Sequence, residues 1–113
     1  MMAEQPDLPP DIATRADELL HRIPNADLLA GISTKSFEAS SLDRETLVLV
    51  WLAALVALDA PSESYLMNLG AASQTGVSLE RVHQVLAALA PIVGTPRAVS
   101  ATLKITEALR AGA

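Results

Sequence analysis

Few side chains in this sequence can carry covalent or acid–base chemistry. There is no cysteine, which removes a thiol nucleophile, a disulfide and a cysteine metal ligand at once, and there are two histidines. His83 is the candidate acid or base. It has neither a nearby carboxylate nor a second histidine, so it also reads as a surface or interface residue. His21 lies beside Arg22 on a polar helix face, and the two histidines are not at metal-ligand spacing, so no metal is expected. The adjacent Arg44 and Glu45 read as a helix start and an ion pair rather than a catalytic pair. What remains is a stripe of Ser64, Asn68 and Thr75, with Ala71 and Ala72 between and Tyr65 adjacent, spaced to share one side of a helix. An amide and hydroxyls in that arrangement can orient a ligand, and the amide can polarise a carbonyl, but none of them transfers a proton near neutral pH. The same stripe also reads as a solvated helix face.

The elements that position these residues read as helices. With 113 residues, 50% hydrophobic and 3% aromatic, the core must be built from Ala, Leu and Val, which suit packed helices better than a sandwich of sheets. Residues 1–10 carry three prolines and no apolar period and read as a loose arm; residues 11–113 read as one all-α domain. A first helix is expected from about Asp11, with Ile12, Ala16, Leu19, Leu20 and Ile23 on one stripe and Pro24 as its end. Residues 25–41 suggest a short helical turn over Ala26 to Ala30, ended by Gly31, and a polar loop through Ser36 to Ser41. Ser41 or Asp43 can cap the next helix, with Glu45 in its first turn. Every residue from Leu47 to Leu58 is apolar. That run is shorter than the roughly 20 residues a bilayer needs, and a helix apolar all round must be covered all round. A single short chain covers it poorly, so a homo-oligomer is expected.

Asp59 or Ser62 can cap a third main helix that Gly76 ends. Ser78 then caps a helix whose apolar face is Leu79, Val82, Leu86 and Leu89, and Pro91 is expected to kink or end it near Ala90. Thr95-Pro96 marks the last helix, with Thr95 as cap, running to about Ala111 with Gly112 as its stop. The net charge of −5, with eight scattered basic residues, disfavours nucleic acid. Nothing in the sequence suggests a membrane partner or a cofactor. The opening Met-Met-Ala-Glu-Gln-Pro-Asp has no secretion pattern, so a cytoplasmic location is expected.

The order of features from Leu42 to about Leu109 resembles the carboxymuconolactone decarboxylase family, which includes AhpD-type alkylhydroperoxidases. The match runs through Leu-Asp-Arg-Glu-Thr before a buried Ala- and Leu-rich helix and a polar helix closed by Gly-Val-Ser. It continues in a helix ending in Ala-Pro-Ile-Val-Gly-Thr-Pro-Arg-Ala. The resemblance implies a small all-helical protein of about five or six helices assembled as a trimer or hexamer. Redox members carry a Glu on the core helix, then Cys-x-x-Cys-x-x-x-His at the start of the next. Counted back from Gly76, the His position falls on Asn68, the Cys positions on Ser64 and Pro61, and the Glu on Leu49. Thiol peroxidase chemistry needs a low-pKa thiolate and a proton relay, and these side chains supply neither.

Two functions are therefore expected. One is a family-like helical oligomer without the redox pair or the His, which binds a small metabolite or serves as an assembly module, through a pocket of Leu49, Trp51, Ser64, Tyr65 and Asn68. The alternative is a non-redox enzyme, a decarboxylase, isomerase or cyclase of a small organic acid or lactone, using a reshaped pocket.

Overall fold

The computed structural model describes residues 8–110, and within them the chain is six α-helices with no strand. In chain order these are α1 (Ile12–Leu20), α2 (Ala26–Ala39), α3 (Arg44–Leu58), α4 (Ser62–Thr75), α5 (Leu79–Val93) and α6 (Thr95–Arg110). The expectations for the opening residues of the arm and for the Ala111–Gly112 stop lie outside the described residues.

Helix α4 sits between α1, α3 and α6, while α5 packs on α3 and α6. Tyr65, Leu69 and Ala72 of α4 meet Leu52 and Val56 of α3, Val82 and Leu86 of α5, and Ala101 and Ile105 of α6 in one apolar core. The α1–α4 contact depends on Gly70, because a Cβ there would overlap the Ala16 methyl. Ile12 and Ala16 are buried on that contact, and Asp17 and Glu18 are exposed on the other side. Arg15 reaches from α1 to the last turn of α6, with Nη1 donating to the Ala108 carbonyl and Nη2 to that of Leu109, each at 3.5 Å. A cation at those carbonyls also matches the negative end of the helix dipole.

Local signals set most helix ends. The Asp43 carboxylate accepts from the Thr46 amide at 2.7 Å and caps α3, and Ser78 accepts from the Arg81 amide at 3.2 Å and caps α5. Gly76, at φ 82°, closes α4 in the left-handed conformation that glycine tolerates. Asp59 closes α3 in the same conformation, and its carboxylate ties that corner to α6 by accepting from Ser100 Oγ at 2.7 Å and Lys104 Nζ at 3.1 Å. No side chain caps α4, contrary to the Asp59 or Ser62 expectation; Pro61 precedes it, and Ser62 Oγ donates instead to Glu107 at 3.0 Å.

Four boundaries differ from the sequence reading. Helix α1 ends at Leu20 rather than at Pro24, so Ile23 lies beyond it. The segment assigned to a short turn and a loop is the fourteen-residue α2. Gly31 stays helical within it, and Leu29, Ser33 and Phe37 recur at four-residue intervals on one face. Pro91 does not end α5, which runs on to Val93 and closes where the Gly94 amide donates to the Ala90 carbonyl at 3.0 Å. The proline stands in the last turn, and Ala87, whose carbonyl loses its helical partner, is on the exposed side where water can serve it. Helix α6 already includes Thr95, because the Gly94 carbonyl accepts its first bond, from the Ala98 amide at 3.1 Å.

No residue of α2 is buried, and Leu28 and Ile32 are exposed. Among the described residues no helix is long and apolar enough to cross a membrane.

Candidate functional site

Because α2 stands off from α3 and α4, it roofs a cavity of about 740 Å³. Leu20 and Ile23 line it, Leu29, Ala30 and Ser33 of α2 form the roof, and Trp51 and Leu55 of α3 form one wall. The floor is α4, through Ser64, Met67, Asn68 and Ala71. These four recur at intervals of three and four, so the helix presents them on one side. A second cavity of about 260 Å³ adjoins the first and shares Ser33, Trp51 and Ala71 with it. Its other lining residues include Thr34 and Phe37 of α2, Arg44 of α3, and Gln74 and Thr75 of α4.

Asn68 is 6% exposed and is the buried polar residue of the core. Its Nδ2 donates to the Val48 carbonyl at 3.1 Å, which fixes the amide across the α3–α4 contact. Its Oδ1 is buried and has no hydrogen-bond partner. A buried acceptor left unpaired carries a desolvation penalty of about 1 to 3 kcal/mol; Oδ1 is closed to solvent, so in the free chain it lies behind the cavity floor rather than facing the open space.

The structure brings Trp51, Ser64 and Asn68 together at the larger cavity. Leu49 and Tyr65 are not among its lining residues. Leu49 is half-buried against the core, on the side of α3 turned from Trp51 by the helical twist, and Tyr65 is fully buried within the core. The Tyr65 hydroxyl has no partner, and burial pushes its pKa above the ordinary value. Thr75 lines the smaller cavity, but its hydroxyl donates back to the Ala71 and Ala72 carbonyls at 3.1 and 3.2 Å. His83 is exposed on α5 and lines neither cavity. His21 is also exposed, and its pKa is raised by the hydrogen bond between Nδ1 and the Asp17 carbonyl at 2.7 Å and by the Asp17 charge. Glu45 pairs with Arg81 at 2.7 Å rather than with Arg44.

Sequence reasoning missed the whole contribution of α2, namely Leu29, Ala30, Ser33, Thr34 and Phe37, and also Met67. Leu29, Ser33 and Phe37 recur at four-residue intervals, but the glycine and the polar residues among them hide that face in the sequence. Among the described residues no cluster of three or more His, Asp or Glu side chains is arranged to hold a metal ion.

No curated protein and no solved structure matched the chain. The model of the carboxymuconolactone decarboxylase family matches residues 25–108, well over half of the sequence and starting at α2 rather than at Leu42. The chain belongs to the carboxymuconolactone decarboxylase family.

Proposed function

We propose that this family member binds a small, mostly apolar molecule carrying one hydrogen-bond donor, in the cavity under α2, and that it does so as a homo-oligomer. The observation that carries the reading is the Asn68 amide, whose Nδ2 is engaged by Val48 while Oδ1 is buried and unpaired on a residue that lines an apolar cavity. A ligand hydroxyl or N–H that parts the packing over Oδ1 and donates to it removes that penalty, and the surrounding Leu, Ile, Met and Trp side chains take up an apolar body. Binding is favoured over acid–base catalysis because no side chain lining the larger cavity titrates near neutral pH. With no cysteine in the sequence, the thiol route of the redox members has no nucleophile.

The oligomer reading rests on apolar surface. In the single chain Val50 and Leu58 of the all-apolar α3 are 47% and 75% exposed, and Ile92, Val99 and Leu103 are exposed as well. A second copy is the economical cover for such surface. The trimer or hexamer implied by the family resemblance is consistent with it.

Trp51 is the single tryptophan and lines both cavities, so its fluorescence reports entry directly. Titration with methyl 10-hydroxydecanoate, an apolar chain with one hydroxyl, should give saturable binding to the wild type. Asn68→Leu should weaken it by about 1 to 3 kcal/mol, the scale of a lost hydrogen bond to a buried group. Equal affinity in the two proteins, or no saturable binding, would overturn the proposal.

A further inference from the structure

The smaller cavity differs from the larger in its chemistry. Its lining brings Arg44, Gln74, Ser33 and Thr34 to the edge of the same groove, with Trp51 shared between the two. The Arg44 guanidinium lies 5.2 Å from the centre of the Phe37 ring, so it bridges from α3 to the roof helix. Stacking occupies a face of the guanidinium and leaves the N–H edge that binds carboxylates. Both acidic neighbours are already engaged, Asp43 by the Thr46 amide and Glu45 by Arg81. Among the described residues no carboxylate pairs with Arg44.

We infer that the ligand is an anionic amphiphile: a carboxylate held by Arg44 at the polar end of the groove, and an apolar body that passes Trp51 into the larger cavity, where one hydroxyl donates to Asn68 Oδ1. This rests on the binding function proposed above and adds the charged head group. Two independent features support it: a cation without a carboxylate partner lining the smaller cavity, and, in the lining of the larger, a residue whose buried acceptor is unpaired and is reached when the packing over it parts. A neutral apolar molecule would leave the cation unused, and a compact, multiply charged acid would leave the apolar cavity unfilled.

A matched pair of probes separates the two readings. 10-Hydroxydecanoate and its methyl ester share the chain and the hydroxyl and differ in the head-group charge, and Trp51 fluorescence reads both. The acid should bind the wild type about tenfold more tightly than the ester, as a charge-assisted hydrogen bond at a partly exposed site gives. In Arg44→Gln the acid should fall to the affinity of the ester while the ester is unchanged. Arg44 is exposed, so the substitution leaves the core alone. If the ester binds the wild type as tightly as the acid, the cavity is a binding site but the anionic-head inference is overturned. An acid preference that persists in Arg44→Gln places the charge elsewhere and also overturns it. If neither probe binds, the binding function itself fails.

Discussion

Asn68 is a buried amide in the lining of the cavity. A histidine there could accept and release a proton; an asparagine holds a fixed donor and a fixed acceptor and does neither near neutral pH. Its donor goes to Val48, whose carbonyl lies inside α3 where the helix supplies a donor of its own. Removing the amide therefore costs the fold little and removes a buried unpaired oxygen. We expect Asn68→Leu, without ligand, to melt at the wild-type temperature or higher by calorimetry. A loss of several kcal/mol would mean that the amide is a structural pin rather than a binding group. A second residue-scale expectation concerns Asp43, whose pKa is held below the usual carboxylate range by the hydrogen bonds it accepts from Thr46. A folded pKa below the unfolded one adds stability above the unfolded value and loses it as pH falls through the folded value. Asp43→Ala should accordingly lower the melting temperature at neutral pH and flatten its decline below about pH 4, the unperturbed carboxylate range. A decline as steep as the wild type's would contradict the capping role.

At the scale of elements, the contact of α1 with α4 decides how closely the floor of the cavity is held. Gly70 permits it, because an added methyl would meet Ala16. Alanine favours a helix over glycine by up to about 1 kcal/mol, yet overpacking costs about 1 to 3 kcal/mol, so Gly70→Ala should lower the melting temperature on balance. A rise would show that α1 moves away freely. Much of this level was legible in the sequence, because caps and stops are local: Asp43, Ser78 and Gly76 act within one turn of where they stand. Helix α2 was not legible, since Gly31, Ser33, Thr34 and Ser36 dilute its apolar pattern and its role comes from spanning α3 and α4. Pro91 does not end α5 because the carbonyl it leaves without a helical partner, that of Ala87, is on the exposed side where water serves it. The site was partly legible. Trp51, Ser64 and Asn68 meet at the cavity, but Leu49 and Tyr65, neighbours in sequence or in family register, point to the core because adjacent helical positions turn by about 100°.

Assembly is the whole-molecule question. The all-apolar Leu47 to Leu58 run buries Leu47, Val48, Leu52 and Val56 within the chain and leaves Val50 and Leu58 outward. We expect light scattering at micromolar concentration to give a trimer or a hexamer. A stable, soluble monomer with full helical content would remove this part of the account. Assembly and binding meet at the cavity, whose roof α2 carries exposed Leu28 and Ile32 on its outer side.

The most direct test of the central claim, that this family member binds through Asn68 rather than reacting at that position, is a crystal structure of the oligomer grown with methyl 10-hydroxydecanoate. The account predicts the probe under α2, its chain against Trp51 and its hydroxyl within hydrogen-bond distance of Asn68 Oδ1. A cavity filled by a side chain of a second copy, with a protein donor already bound to Oδ1, would contradict it.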